Sequence, residues 1–310
     1  MQADQQIGFV GLGAMGAGMA ANLLEAGFSV TGCDRREAAV EALVEAGGKA
    51  AASPAAAAEQ ARLLFVMVVN DAQVEDVLFG RDGALKTLAP GSTVVLCSTV
   101  PAAFVRDLGE RLAGRGIRLL DAPVSGGAIG AEGGTLTIMA SGSAEAFAAA
   151  ERALDVCAQK VHRLGDQPGI GSTVKAVNQL LAGVNLVTAA EGMAFGTALG
   201  ADPKVLFEVI RSAAGGSWMF ENRVPHMLEG DFTPRSAVDI WVKDLALVLD
   251  TGKSLRMPLP MAAAAFQVVM MAAARGLGAI DDAAFVKVYE EFTGRKLVPD
   301  DSPRRNDGTP

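Results

Sequence analysis

Ile7-Gly8-Phe9-Val10-Gly11-Leu12-Gly13-Ala14-Met15-Gly16 is the stretch on which the reading of this chain turns. A short apolar strand runs into a G-x-G-x-x-G turn, and residues 15–26 continue with the small and apolar spacing of a helix. Ser29-Val30-Thr31-Gly32-Cys33 is then a second strand, completing a β-α-β unit. In such a unit the first glycine permits a tight turn, the second lets a pyrophosphate approach the backbone, and the third lets helix lie close on strand. The helix N-terminus adds free N–H groups and the positive end of its dipole. Gly11, Gly13 and Gly16 hold those places, and Leu12, Ala14 and Met15 fill the turn between them, so residues 11–16 are read as a dinucleotide-binding loop.

Asp34 closes the second strand. It falls at the spacing of about 20 residues expected of an acid that accepts hydrogen bonds from ribose hydroxyls and repels a 2′-phosphate. NAD is therefore expected over NADP. Arg35 and Arg36 keep an alternative open, because either can stack on adenine or meet a 2′-phosphate if Asp34 turns away.

Outward from this unit, residues 63–69 and 93–96 are continuous apolar runs of strand length, with a helical stretch at 73–78 between them. Runs of this kind suit a parallel sheet covered on both faces. Residues 118–121 and 135–140 supply further strands, so the first half alternates strand and helix and is expected to be an α/β, doubly wound Rossmann domain over residues 1–166. The sequence Asp166-Gln167-Pro168-Gly169 marks a break, after which Ala-, Leu- and Met-rich helical patterns predict an all-helical domain over 167–297. The nearly poly-alanine residues 50–61 read as an ordinary surface helix. Residues 298–310, polar and rich in Pro, Asp and Arg, read as a disordered tail.

Composition excludes several classes. The net charge of −8 has no offsetting basic run, only the pairs Arg35-Arg36 and Arg304-Arg305, so neither nucleic acid nor an anionic membrane surface is an expected partner. Cys33, Cys97 and Cys157 are odd in number and widely spaced in apolar surroundings, as free thiols in a reducing, cytoplasmic compartment would be. Met1-Gln2-Ala3-Asp4-Gln5-Gln6 lacks the basic start of a secretory signal, and the longest uncharged stretch, 257–274, is broken by Pro258, Pro260 and Gln267. His162 and His226 are too far apart to suggest a metal centre, and no metal is expected.

Two motifs carry candidate chemistry. Ser125-Gly126-Gly127 places a hydroxyl beside two residues without side chains, which lets O–H and N–H groups close on a small carboxylate; the same tripeptide also serves as a plain turn. Lys175 is an isolated cation on an apolar helical stretch, with Asn178 and Gln179 at i+3 and i+4 on the same face. Without further context it reads either as a functional ammonium or as a surface lysine lying along apolar neighbours. Trp218 and Phe220 can wall a pocket or fill a core.

Taken together, residues 8–16, Asp121-Ala122-Pro123-Val124-Ser125-Gly126-Gly127, Gly171-Ser172-Thr173-Val174-Lys175-Ala176-Val177-Asn178-Gln179 and Lys243-Asp244-Leu245 resemble, in order, the motifs of the β-hydroxyacid dehydrogenase family over nearly the whole chain to about residue 295. The resemblance implies NAD-dependent oxidation of a small hydroxy acid, with Lys175 as catalytic acid/base and Asn178 beside it. It further implies that Ser125, Gly126 and Gly127 bind the substrate and that Thr99 and Lys243 reach the cofactor; Gln179 and Trp218 are read beside the substrate, and Arg35, Val68 and Val69 beside the cofactor. Gln179 departs from the asparagine frequent at that position, which leaves open which amide positions the substrate. Thr99 can equally cap the helix that follows it.

Oxidation needs a base, and lysine with its ordinary pKa of about 10.4 is a poor one near neutrality. Either desolvation lowers it or the reaction favours alkaline pH. Residues 68–70, 217–223 and 232–240 resemble the branch of the family that acts on L-threonate at its C2 hydroxyl; 3-hydroxyisobutyrate and tartronate semialdehyde are the alternative substrates, and a non-enzymatic NAD-binding module is the alternative from a different class. Apolar positions over 180–199 and 262–274, with the family's habit, imply a homodimer or homotetramer.

Overall fold

The computed structural model describes residues 6–298. The chain separates into two compact units, one ending at Asn178 and the other beginning at Gln179. The first unit opens with β1 (Gln6–Val10), α1 (Ala14–Glu25), β2 (Ser29–Cys33), α2 (Glu37–Glu45), β3 (Lys49–Ala50), α3 (Pro54–Ala58), β4 (Leu63–Val66), α4 (Asp71–Phe79), β5 (Thr93–Leu96), α5 (Ala102–Ala113) and β6 (Arg118–Asp121). Its six strands pair in parallel in the order β3-β2-β1-β4-β5-β6. This is the strand order of a Rossmann fold, in which the order of strand addition reverses between β1 and β4.

The central strands are buried on both faces because every side chain from Leu63 to Val66 and from Thr93 to Leu96 is covered. Phe9 and Phe65 stack across β1 and β4 with ring centroids 5.5 Å apart, a pairing that contributes about 0.5–1.5 kcal/mol beyond area burial.

Residues 135–140 do form a strand, but not in that sheet. After β6 come β7 (Val124–Ser125), α6 (Gly127–Glu132), β8 (Leu136–Ala140), α7 (Ala144–Cys157) and β9 (Ala158–Arg163), and β7, β8 and β9 make a separate three-stranded sheet. Its β7–β8 pair is antiparallel, and an isolated bridge between Asp121 and Ser141 joins the end of β6 to the residue after β8. The alanine-rich stretch at 50–61 also differs from its reading as one surface helix. Pro54 and the Ser53 cap shorten it to α3, and Ala57 and Ala58 are buried where α3 meets β1 closely enough that a Cβ on Gly8 would lie 2.5 Å from the Ala57 carbonyl oxygen.

The long α8 (Ile170–Ala198) contains the division between the units. Beyond it follow α9 (Pro203–Ile210), α10 (Trp218–Glu229), α11 (Val238–Ser254), α12 (Pro260–Ala274) and α13 (Phe285–Thr293), with a 3₁₀ turn at Asp282–Ala284, so the region is helical as its patterning predicts. Among the described residues α8 is the one helix whose length and hydropathy would allow it to cross a membrane, yet it carries Lys175 and Glu191 and is a core element, with Leu186 and Ala190 fully buried. Apart from Val298, the tail expected over 298–310 lies outside the described residues.

The helical unit contains a buried polar network in its core. Asp282 accepts from Arg223 Nε (2.6 Å) and from the Trp241 indole N–H (2.7 Å), while Asp281 contacts His226 Nδ1 (3.3 Å) and accepts from the Arg235 N–H (3.0 Å). Phe220 is buried there and stacks on Phe207. Segments 217–223 and 232–240 thus commit Phe220, Arg223 and the Arg235 backbone to the interior, whereas Trp218 is 58% exposed.

Candidate active site

In the first unit the glycine turn leaves β1 at the reversal point of the sheet. Gly11 has φ +96°, and a Cβ there would lie 2.1 Å from the Met67 carbonyl oxygen, so only glycine fits. A Cβ on Gly16 would lie 1.9 Å from the Gly11 carbonyl oxygen, which fixes α1 directly against the turn. Gly13, the N-cap of α1, has no side chain to cap the helix, and the nearest atom a Cβ on it would meet is Arg36 Nη2 at 3.8 Å. Space over Gly13 with backbone N–H groups behind it is what a pyrophosphate requires, so the cradle fits a dinucleotide. Val68 and Val69, in the adjacent loop after β4, donate their N–H groups to Ser98 Oγ and Gln73 Oε1, both at 2.9 Å.

Asp34 lies beside this turn with all of its acceptor capacity engaged. Its Oδ2 accepts from the Leu12 N–H (2.7 Å) and Arg36 Nη2 (3.2 Å), and its Oδ1 from the Arg36 N–H (2.8 Å) and Nε (3.1 Å). Burial by itself raises the Asp34 carboxyl, but hydrogen bonds from Arg36 and Leu12 together with the Arg36 charge outweigh it and hold the carboxyl below its usual range. Arg36 also donates to the Leu12 carbonyl (3.0 Å). Of the pair Arg35-Arg36, either of which the sequence leaves as a cofactor contact, Arg36 is the one that bonds Asp34 and the turn. Nothing in an Arg-Arg pair tells which member points back along the strand.

Ser125, at the end of β7, pairs with Thr137, and the chain turns through Gly126 (φ +133°) and Gly127 (φ +66°) into α6. These positive φ values favour glycine; a Cβ on Gly126 would lie 3.2 Å from Leu136 Cδ2, whereas the space beside Gly127 is open. The N-cap position of α5 is Pro101, which brings no side-chain bond of its own.

Lys175 is 6% exposed. Ser172, Lys175 and Gln179 follow at three and four residues on one buried face of α8, while Asn178 is half-buried. In the helical unit Asp244, 3% exposed, accepts from Gln179 Nε2 (2.5 Å) through Oδ2 and lies 2.7 Å from Lys243 Nζ through Oδ1. Gln179 is thereby oriented, its amide nitrogen turned to Asp244 and its oxygen away from it. Asp244, which sequence reasoning passed over inside the motif Lys243-Asp244-Leu245, therefore bonds two of the residues it did name. Among the described residues no cluster of three or more His, Cys, Asp or Glu side chains is gathered.

Residues 6–165 match the model of the NAD binding domain of 6-phosphogluconate dehydrogenase, and residues 169–289 match that of the NAD-binding region of NADP-dependent 3-hydroxyisobutyrate dehydrogenase. The chain belongs to the β-hydroxyacid dehydrogenase family. It is an NAD-dependent oxidoreductase acting on hydroxy acids. It is 52% identical over 286 residues to an L-threonate dehydrogenase of Cupriavidus necator, covering 92% of this chain and 96% of that one. An L-threonate dehydrogenase of Escherichia coli K12 is 46% identical over 288 residues, covering 93% and 95%. A crystal structure of 3-hydroxyisobutyrate dehydrogenase from Salmonella typhimurium superposes with a TM-score of 0.85 at 47% identity, covering 92% of this chain and all of that one.

Proposed function

We propose that this dehydrogenase oxidises the C2 hydroxyl of L-threonate to 2-dehydro-L-erythronate, with Lys175 as general acid/base. The observation that carries the chemical part is Lys175 itself: an ammonium 6% exposed, on a buried helical face with Gln179 four residues on. The substrate is supported by the names of the Cupriavidus necator and Escherichia coli relatives.

Bound at the Gly11–Gly16 turn and Asp34, NAD would supply the acceptor for the hydride leaving C2. Lys175, in its neutral form, takes the hydroxyl proton onto Nζ; in the reverse direction the ammonium returns it. Ser125 and the N–H groups of Gly126 and Gly127 hold the substrate carboxylate. Asn178 adjoins Lys175, and Gln179 and Trp218 contact the substrate's hydroxyl end. Leu12, Ala14 and Met15 line the pyrophosphate turn, Asp34 holds the adenine ribose, and Arg35, Val68, Val69, Thr99 and Lys243 complete the cofactor contacts. The three buried free thiols suit a reducing cytoplasm. Exposed apolar side chains on α8 and α9, among them Leu181, Phe195, Val205 and Val209, suit a homo-oligomer.

The test is initial-rate NADH formation with L-threonate, D-erythronate, D-glycerate and 3-hydroxyisobutyrate at equal concentration, for the native chain and Lys175→Ala. L-Threonate should dominate, and the variant should lose about 10²–10⁴-fold in kcat with cofactor affinity retained. A dominant rate with 3-hydroxyisobutyrate, the substrate in the Salmonella protein's name, would move the assignment to that acid. Near-normal turnover by Lys175→Ala would remove the lysine from the mechanism.

A further inference from the structure

Asp121 and Ser172 belong to two motifs 51 residues apart, and the structure bonds them to each other. Asp121 ends β6 and is fully buried. Its Oδ1 accepts from Ser172 Oγ (2.7 Å), and its Oδ2 accepts from the N–H groups of Gly169 (2.9 Å) and Ser172 (2.8 Å) and from Ser141 Oγ (3.3 Å). Ser141 Oγ in turn accepts from the Gly171 N–H (3.0 Å).

The first turn of a helix leaves N–H groups without intrahelical partners, ordinarily satisfied by a residue just before the helix or by water. Here two side chains from distant strand ends supply the acceptors. The approach is close: a Cβ on Gly171 would lie 2.3 Å from the Met139 carbonyl oxygen and 2.9 Å from that of Asp121. The start of α8 is therefore fixed in position, by contact, and in rotation, by which N–H groups meet which oxygen.

Lys175 lies three residues beyond Ser172, within about 60° of it around the helix axis at 3.6 residues per turn. Helical side chains lean toward the N-terminus, over the preceding turn. Lys175 thus springs from the side of α8 that Asp121 holds, and all of these residues lie in the first unit.

We propose that Asp121, with Ser141, is a positioning residue for the reaction: by capping α8 from the end of β6 it sets the rotation of the turn that carries Lys175. This rests on the reading of Lys175 as the acid/base. A rotation of about 10° at the axis moves a lysine nitrogen by roughly 1 Å, and a misplacement of that size can cost on the order of 10²-fold in rate.

Asp121→Asn keeps the shape of the side chain and an acceptor oxygen for two of the N–H groups, but presents an N–H to the Ser172 hydroxyl. Asp121→Ala leaves the donors buried without partners and is the harsher variant. The experiment compares both, and Ser172→Ala, with Lys175→Ala and with Leu112→Ala, a core substitution in α5 that lowers stability elsewhere. For each, kcat and the substrate KM are expressed per folded, NADH-binding molecule, and NADH affinity is measured directly. The expected result is a kcat lowered at least 10-fold in Asp121→Asn and further in Asp121→Ala, with KM and NADH affinity within about twofold and Leu112→Ala unchanged in kcat. Native kcat in Asp121→Asn and Ser172→Ala overturns the proposal, as does a rise in KM alone, which would place the effect in the Ser125 turn. Should Asp121→Ala fail to fold, Asp121→Asn and Ser172→Ala decide. An active Lys175→Ala would instead overturn the reading of the lysine, a separately visible outcome.

Discussion

Replacing Asp34 by serine tests the cofactor site most directly. A carboxylate offers about four lone-pair positions, and here Leu12 N–H, Arg36 N–H, Nε and Nη2 occupy them at 2.7–3.2 Å. Ribose hydroxyls must displace two of these donors. The Arg36 side-chain nitrogens are the ones to yield, since that arm is 62% exposed and such an ion pair is worth about 0–1 kcal/mol. Hydrogen bonds to a charged acceptor contribute about 1.5–3 kcal/mol each. Serine can replace one at most, so Asp34→Ser should lose roughly 10- to 150-fold in kcat/KM with NAD. With NADP the loss of charge repulsion works the other way, and the NAD/NADP ratio of kcat/KM should fall by at least about 10-fold. Because Arg36 and Leu12 hold the native carboxyl below its usual range, its contribution persists through neutral pH and is lost only as pH falls through that lowered value. The companion variant Arg36→Ala should leave NAD within about fivefold and weaken NADP. An unchanged ratio in Asp34→Ser refutes the assignment; a loss of NAD in Arg36→Ala as large as in Asp34→Ser would make Arg36 the ribose contact.

Asp244→Asn, which substitutes an amide for the acceptor of Gln179 and the counter-charge of Lys243, should raise both substrate and NAD KM several-fold, as steady-state kinetics with each varied in turn would show. Arg223→Ala leaves Asp282 buried without its cation and should cost about 3–5 kcal/mol in denaturant unfolding. Burial raises the Asp282 carboxyl, so the folded state holds its proton more tightly; the variant's deficit should shrink as pH falls toward the ordinary carboxylate range and grow as pH rises above it, and a pH-independent deficit would contradict this. Burial pushes the thiols of Cys33 and Cys97 up and that of Cys157 up to about 12, so a thiol reagent should react slowly with the native chain and with all three in denaturant.

The parallel sheet is legible because its central strands are uninterrupted apolar runs, and the glycine turn because Gly11 and Gly16 are demanded by close backbone contacts while Gly13 leaves space over the N-terminus of α1. The strands that escaped notice lack such a pattern. Lys49–Ala50 is two exposed residues, and Ala158–Arg163 begins without a break after α7 and carries Gln159, Lys160, His162 and Arg163. The second sheet was therefore invisible although one of its strands was found. At the site, residue types spoke for themselves where a single side chain has a distinctive task, as with Lys175. They were silent where the task is shared across the chain. Asp121 reads as one polar residue ending a strand until Ser172 is placed against it, and Asp244 carries no reading of its own inside its motif until Gln179 is.

The two ends of the six-stranded sheet bear on how this molecule behaves in crowded solution. An unpaired strand edge is a template on which another chain can lay down a strand. One edge here is β3, only two residues long and bearing Lys49. The other, β6, gives up its last position, Asp121, to the bridge with Ser141 and turns Arg118 back toward Thr93. A chain that is half hydrophobic thus offers no long straight ladder at either margin of this sheet, and partial unfolding of these margins should be the first step by which it becomes prone to fibrous association.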